Sequence, residues 1–209
     1  MTLKAWLEKS PLIAILRGVK PSEAESIGAA LEETGIAIVE VPLNSPEPLK
    51  SIEILSRSFG DRMLIGAGTL TNVSEVASIT SAGGRLIVTP HADVAIVHAA
   101  KAAGLITVPG FFNPTEAFTL LQAGADGIKL FPADVLGPGM LKAMRAVLPK
   151  DAIVIPVGGV GVAQIPEWLG AGAQGFGLGS SLYKPGDSPA AVKTKAKAFV
   201  EALKVRAQD

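Results

Sequence analysis

The feature of this sequence that most constrains its fold is a series of eight short apolar runs separated by stretches of helical character. Each run is nearly continuous instead of alternating apolar with polar residues, which is typical of strands buried on both faces of a parallel sheet. The runs lie at residues 12–16, 36–41, 63–67, 86–88, 105–108, 127–131, 153–157 and 175–178. Because consecutive parallel strands need a crossover between them, the pattern predicts an α/β protein.

Helices are predicted between the runs and at both ends of the chain. They lie at residues 21–34, 74–82, 92–103, 114–123, 165–170 and about 190–205, with a short amphipathic helix before the first run. Asn72 is the expected N-cap of the second of these. Several helices end in an Ala-Gly pair, whose glycine supplies the left-handed residue that closes a helix.

Eight strand–helix units in 209 residues predict a closed (β/α)₈ barrel, the TIM barrel, as a single domain over residues 1–209. The N-terminal helix would cover the bottom of this barrel. The alternative, an open doubly wound sheet, should carry a Gly-x-Gly-x-x-Gly turn after its first strand. Arg17-Gly18-Val19-Lys20-Pro21 stands there instead.

Composition removes several classes of function. Lys plus Arg and Asp plus Glu number 19 each, so there is no net charge to attract nucleic acid or a membrane surface. The chain has no cysteine, which excludes disulfides and thiolate chemistry, and two histidines without clustered acids argue against a metal site. No apolar run approaches the roughly 20 residues of a membrane-spanning helix. We expect a cytoplasmic protein.

Lys129 is the first candidate for chemistry, because it lies inside the sixth apolar run. Burial disfavours the ammonium form and lowers the pKa of a lysine, and the neutral amine is the form that attacks a carbonyl. The alternative is a lysine that reaches the rim of the barrel or pairs with a carboxylate. The active site of such a barrel lies at the C-terminal ends of the strands.

Two further charges fall at strand ends, and each has a functional and a structural interpretation. Glu40 ends the second run, where a raised pKa or a charged partner would suit proton transfer. Arg17 follows the first run and could grip a carboxylate through two parallel hydrogen bonds. The structural alternatives are salt bridges from Glu40 to Lys129 or to Arg17.

Two glycine-rich loops predict a phosphate site. Gly158-Gly159 follows the seventh run, and Gly179-Ser180 follows the eighth. In many barrels these two loops bind phosphate through backbone N–H groups, which glycine leaves accessible. Thr69, after the third run, could hold a carboxylate. His91 is expected to be a surface residue and His98 a structural one.

With these residues in place, the chain resembles the class I 2-keto-3-deoxy-6-phosphogluconate and 2-keto-3-deoxy-6-phosphogalactonate aldolases, which are small trimeric barrels. The resemblance runs from about Leu12 to Tyr183. It is carried, in order, by the segments LIAILRG at 12–18, VEVPLNSP at 39–46, IGAGT at 65–69, IVTP at 87–90, PG at 109–110, PTEA at 114–117, KLFP at 129–132, VGGV at 157–160 and GLGS at 177–180.

The resemblance implies a role for each candidate. Lys129 would be the Schiff-base lysine and Glu40 the acid/base. Arg17 and Thr69 would bind the keto-acid end of the substrate, and Gly159, Gly179 and Ser180 the phosphate. It also implies a homotrimer that uses no cofactor, with a phosphorylated keto acid and pyruvate as its ligands.

Residues 42–46 and Val157 match the galactonate branch of the family, and Val157 is associated with selectivity between the two epimers. The resemblance therefore implies cleavage of 2-dehydro-3-deoxy-6-phosphogalactonate to pyruvate and D-glyceraldehyde 3-phosphate. Two alternatives stay open: the gluconate epimer as substrate, alone or in addition, and a non-catalytic phosphate-binding barrel. Phe111 and Phe112 depart from the smaller residues expected in either branch and could reshape the pocket.

Overall fold

The structure, a computed structural model, describes residues 1–204 and forms an α/β fold around parallel strands. The strands are β1 Leu12–Ile15, β2 Ile38–Pro42, β3 Leu64–Gly68, β4 Leu86–Val88, β5 Ile106–Val108, β6 Gly110–Phe111, β7 Ile128–Leu130, β8 Val154–Pro156 and β9 Phe176–Leu178. Six form one sheet in the order β5-β4-β3-β2-β1-β9, and three form another in the order β6-β7-β8. Every paired strand is parallel to its neighbour, as the continuous apolar runs predict.

The fifth predicted strand ends at Val108, as its apolar run indicates, and the two-residue strand β6, which was not predicted, follows Pro109, a residue with no N–H to donate to a ladder. The two sheets nevertheless stay connected. The Lys129 N–H donates to the Pro109 carbonyl at 2.8 Å, and the Gly127 N–H donates to the Thr107 carbonyl at 3.2 Å. At the other side, Val157 and Gly177 form a parallel bridge between the ends of β8 and β9. The strands therefore form a curled parallel sheet.

Helices follow the strands along the chain. They are α1 Leu3–Lys9, α2 Pro21–Glu32, α3 Pro48–Phe59, α4 Glu75–Ser81, α5 Val94–Ala102, α6 Pro114–Gln122, α7 Ala133–Arg145, α8 Ile165–Gly170 and α9 Pro189–Lys204, with a 3₁₀ turn at Val162–Gln164. Residue 205, placed in the last helix by the sequence, lies outside the described residues. Asn72 is not the N-cap of α4. Ser74 takes that position, and its N–H donates to the Asn72 Oδ1 at 2.9 Å.

The predicted Ala-Gly helix stops are confirmed. Gly83, Gly104, Gly124 and Gly172 each follow a helix with φ between 76° and 99°. In each case the glycine N–H closes the last turn, as Gly104 does by donating to the Lys101 carbonyl at 3.0 Å. The left-handed conformation turns the chain back toward the next strand.

The apolar core has two layers, which follow from the alternation of side chains along each strand. The outer layer packs strands against helices and includes Val39 and Val41. The inner layer is lined by strand residues such as Ile38 and is covered at the N-terminal end by α1, through Leu3, Trp6 and Leu7. This end is closed by apolar packing, so a polar site can lie only toward the other end. Over the described range, no helix is long and apolar enough to cross a membrane.

Candidate active site

A cavity of about 580 Å³ opens at the C-terminal ends of β1, β2, β7, β8 and β9. Parallel strands bring these ends to one edge, so residues far apart in sequence meet there. The lining residues are Ile15, Arg17, Glu40, Lys129, Phe131, Val157, Gly158, Gly159, Val160, Gly161, Gly177, Gly179, Ser180, Ser181 and Lys184. Of the eight predicted site residues, only Thr69 is not among them. The predicted candidates thus share one cavity, with Thr69 contacting its Arg17.

Lys129 points into this cavity because of its position in β7. Its neighbours Ile128 and Leu130 pack in the outer apolar layer, so the side chain between them faces inward. It is 5% exposed, and its Nζ lies 4.5 Å from the centroid of the Phe131 ring. Burial lowers the pKa of Lys129, the nearby Arg17 lowers it further, and Glu40 opposes both. The lowered pKa favours the neutral, nucleophilic amine.

Glu40 faces inward from β2 for the same reason, between Val39 and Val41 of the outer layer. It is 2% exposed, and its Oε2 is buried without a hydrogen-bond partner in the described chain. Burial raises the pKa of Glu40 to about 7, although Lys129 and Arg17 pull that pKa downward. A carboxyl group that titrates near neutral pH can both accept and donate a proton.

The structural alternative, a salt bridge between Glu40 and Lys129 or Arg17, is not formed. No ion pair within 4.0 Å involves any of these three residues over the described range. A tight ion pair would also raise the pKa of Lys129, whereas that pKa is lowered. The three charges influence one another across the cavity without forming a direct ion pair.

Gly68 makes room for the Glu40 carboxyl group. A Cβ atom on Gly68 would lie 1.8 Å from the Glu40 Oε2 and 2.3 Å from its Cδ, far inside any tolerated contact. Residue 68 ends β3, adjacent to β2. The glycine therefore lets the carboxyl group lie against the backbone of the neighbouring strand.

Arg17 lies two residues beyond the end of β1, so it is at the rim of the cavity and is exposed. Its Nη1 donates to the Asn44 Oδ1 at 2.7 Å, and its Nη2 donates to the Thr69 Oγ1 at 3.3 Å. Thr69 has φ of 61°, a left-handed conformation that is unusual for a β-branched residue. Strain of this kind is common at ligand sites. Here the strained residue is one that holds Arg17.

The two glycine-rich loops, which follow β8 and β9, both line the cavity. Gly159 has φ of 70°, and a Cβ there would lie 2.4 Å from the Asp134 Cβ. No atom of another residue lies within 4 Å of the position that a Cβ atom on Gly179 would occupy. The backbone N–H groups of Gly159 and Ser180 donate to no other residue in the described part of the chain. Free N–H groups in glycine loops are suited to an anion.

Val157 lines the cavity beside these loops. It forms the bridge to Gly177, and a Cβ on Gly177 would lie 2.6 Å from the Val157 Cγ2. Lys184 also lines the cavity and was not a predicted site residue. Its backbone N–H donates to the Asp187 Oδ2 at 2.8 Å, while that carboxylate pairs with Lys195 at 2.7 Å.

The remaining candidates lie elsewhere. His91 and His98 are exposed and are absent from the cavity lining. Neither Phe111 nor Phe112, which could reshape the pocket, lines this cavity. Phe111 is 1% exposed and packs in the outer apolar layer, because it ends β6 with its side chain toward the helices, while Phe112 is 49% exposed. Within residues 1–204, no group of three His, Cys, Asp or Glu side chains is placed to hold a metal.

Four participants were missed by the sequence reasoning. Phe131 has a usable signal, because its spacing of two from Lys129 places both on one face of a strand. Gly68 and Asn44 have none, because their contacts depend on which strands are neighbours. Lys184 carries no local signal at all, because it follows the eighth strand in a loop of ordinary composition.

The chain is similar along most of its length to known proteins of one family. The family model "KDPG and KHG aldolase" matches residues 3–193. The chain is 48% identical over 192 residues to a probable 2-dehydro-3-deoxy-6-phosphogalactonate aldolase of Rhizobium meliloti, covering 92% of this chain and 91% of that one. It is 43% identical over 203 residues to the 2-dehydro-3-deoxy-6-phosphogalactonate aldolase of Escherichia coli, covering 97% and 99%.

Solved structures give the same result. A native KDPGal structure superposes with a TM-score of 0.94 at 43% identity, covering 96% of this chain and 98% of that chain. The KDPG aldolase of Legionella pneumophila superposes with a TM-score of 0.83 at 26% identity, covering 98% of each. That structure contains pyruvate captured at low pH as a covalent carbinolamine intermediate.

Proposed function

The chain belongs to the KDPG and KHG aldolase family and is an aldolase, a carbon–carbon lyase, and from that premise we propose the substrate and the residues that act on it. The substrate is 2-dehydro-3-deoxy-6-phosphogalactonate, which the enzyme cleaves to pyruvate and D-glyceraldehyde 3-phosphate. The observation that carries the mechanism is a buried lysine of lowered pKa, free of any ion pair within the described residues, in one cavity with a buried carboxyl group. Membership of an enzyme family removes the non-catalytic alternative.

Lys129 is the proposed nucleophile. Its neutral amine attacks the C2 ketone to give a carbinolamine. Glu40 then relays to the departing hydroxyl group, through a water, the proton lost by the attacking nitrogen and one taken up from solvent, so that water leaves and an iminium ion forms. The captured carbinolamine of the Legionella pneumophila relative supports this route. Burial and the positive charge of Arg17 both keep the amine neutral before attack. No metal is needed, because the iminium itself takes up the electrons released in the next step.

Glu40 is the proposed acid and base. As a carboxylate it accepts the proton of the C4 hydroxyl group while the C3–C4 bond breaks and its electrons pass to the iminium, giving an enamine. D-Glyceraldehyde 3-phosphate leaves, and Glu40 returns its proton to C3 of the enamine. Hydrolysis of the iminium then releases pyruvate and regenerates Lys129. A pKa near 7 suits both directions of transfer.

The two ends of the substrate bind to different groups of the cavity. Arg17 and Thr69 hold the carboxylate beside the ketone. Gly159, Gly179 and Ser180 hold the phosphate through backbone N–H groups, with Lys184 supplying positive charge nearby. Val157 contacts the carbon chain between these ends, where the two epimers differ. Binding energy from the remote phosphate helps to orient the reacting end.

We further propose that the curled sheet is a closed (β/α)₈ barrel and that residues 1–209 form one domain. The hydrogen bonds from β7 to the carbonyls of Thr107 and Pro109, and the bridge from Val157 to Gly177, support closure. A homotrimer and a cytoplasmic location are the assembly and the compartment that we propose with this function. Galactonate degradation is the proposed pathway.

Aldol cleavage of both epimers tests the proposal, with pyruvate measured by coupled reduction. We expect kcat/KM to be at least about tenfold higher for the galactonate epimer, a difference of roughly 1.4 kcal/mol in transition-state binding. A preference of the same size for the gluconate epimer would select the alternative substrate. Lys129→Ala should abolish cleavage, and Glu40→Gln should reduce kcat by about 10²–10⁴-fold. Substantial activity in Lys129→Ala would overturn the mechanism.

A further inference from the structure

To bind a carboxylate, the Arg17 side chain must be held in one orientation. An arginine side chain at the exposed rim of a cavity samples many rotamers, and fixing them costs free energy on the order of 1.5–2 kcal/mol. The side chain also has no carboxylate partner within 4.0 Å in the described chain. Something else must hold it in place without neutralising its charge.

The loop after β2 holds both the side chain and the backbone at this point. The Asn44 Oδ1 accepts the 2.7 Å hydrogen bond from the Arg17 Nη1. The next residue, Ser45, is buried, and its Oγ accepts a 2.9 Å hydrogen bond from the Gly18 N–H. The loop is itself anchored to β3, because the Leu43 N–H donates to the Gly68 carbonyl at 2.8 Å. Two consecutive side chains of one loop thus fix Arg17 and the residue after it.

The chemistry of the partner matters as much as its position. A guanidinium group carries only donors, so the amide of Asn44 must turn its oxygen toward Arg17. The oxygen of Thr69, the second partner, is also neutral. Neutral acceptors orient the guanidinium and leave its full positive charge for a ligand, whereas a carboxylate at the same distance would compete with the ligand for that charge.

We propose that Asn44 is a positioning residue for the substrate carboxylate, acting by holding the Arg17 guanidinium in its binding orientation while leaving it unneutralised. The proposal rests on the proposed function, because it assumes that Arg17 binds the carboxylate of the keto acid. It goes beyond that function in assigning selectivity for an anionic end group to a residue that does not touch the reacting atoms.

The test compares two variants. Asn44→Ala removes the acceptor of the hydrogen bond from Arg17, and Asn44→Asp gives that acceptor a negative charge. The readout is the pyruvate concentration that gives half-maximal inactivation during a brief borohydride pulse. Loss of one hydrogen bond to a charged group predicts an increase of about tenfold for Asn44→Ala. Asn44→Asp keeps the shape and the hydrogen bond, yet we expect an increase of roughly a further tenfold, because the new charge neutralises Arg17 and repels the ligand carboxylate. Inhibition by inorganic phosphate, for which the glycine-rich loops are the proposed site, should change less than about twofold in both variants.

A purely structural role for Asn44 predicts the reverse order. In that case the isosteric Asn44→Asp would behave as wild type and Asn44→Ala would be the damaged variant. Asn72→Asp is the matched control, because Asn72 is an exposed loop residue whose Oδ1 accepts from Ser74, a contact that a carboxylate also makes. It should leave the half-maximal concentration unchanged. Wild-type-like values in both Asn44 variants would overturn the inference alone, whereas failure of the wild-type enzyme to be inactivated would overturn the proposed function.

Discussion

The raised pKa of Glu40 makes a quantitative prediction about stability. Burial moves the pKa of this carboxyl group from 4.5 to about 7. Between these values the folded protein holds a proton that the unfolded chain has released, so increasing pH through this window destabilises the fold. At 1.36 kcal/mol per pKa unit the full penalty is about 3 kcal/mol, most of which develops between about pH 5 and pH 8. Glu40→Gln removes this titration. The variant should therefore gain roughly 2–3 kcal/mol relative to wild type as pH is raised from 5 to 8.

Urea denaturation at the two pH values measures this difference. The tryptophans, Trp6 and Trp168, are both buried, so their fluorescence reports unfolding. A fixed protein concentration keeps any contribution from assembly constant. Any cost of burying the glutamine amide is present at both pH values and cancels in the comparison.

Glu33→Gln is the matched control. Its carboxylate is exposed and pairs with Lys193, which lowers its pKa, so it is ionised in both states throughout this pH range. The control should show no pH-dependent difference from wild type. If the difference in unfolding free energy between Glu40→Gln and wild type were also independent of pH, the argument would be refuted. Glu40 would then be a carboxylate in the folded protein throughout this range, and its pKa would not be near 7.

Three further predictions concern the site. If Glu40 must be ionised to accept the C4 hydroxyl proton, kcat/KM should rise with pH through about 7. A rise in kcat/KM centred near 4.5, the ordinary pKa of the carboxyl group, would contradict this. Gly68→Ala places a Cβ 1.8 Å from the Glu40 carboxyl group and should reduce kcat at least about tenfold, whereas Gly139→Ala, with open space around it, should not. Gly159→Ala strains a residue with φ of 70° and should raise KM for the phosphorylated substrate roughly tenfold, without weakening imine formation with pyruvate. Equal effects on both ligands would show that the loop is not specific for phosphate.

The parts of the fold that depend on local sequence were predictable. β4 has the bounds that its apolar run indicates, and the glycine stops follow from the conformational freedom of glycine. α7 was missed because Gly137, Pro138 and Gly139 interrupt its helical pattern, and Gly137 indeed has non-helical φ and ψ. β6 was not predicted because two residues after a proline form no apolar run.

The residues of the site can be separated in the same way, into those that local sequence reveals and those that depend on tertiary contacts. Lys129 and Glu40 could be found because charged residues in apolar runs are costly and need a reason. The contacts that orient them could not be found in this way. Arg17 and Asn44 are 27 residues apart, and their hydrogen bond exists only because β1 and β2 are neighbours. The space that Gly68 leaves for Glu40 depends likewise on the pairing of β2 with β3.

The central claim is that Lys129 forms a covalent imine, and borohydride reduction in the presence of pyruvate tests it most directly. Reduction converts an imine into a stable secondary amine, which peptide mass mapping locates. The account predicts one carboxyethyl group per chain, on Lys129, with no modification in Lys129→Ala and loss of activity in proportion to the modification. An adduct on another lysine, or no adduct under conditions that modify a control aldolase, would contradict it.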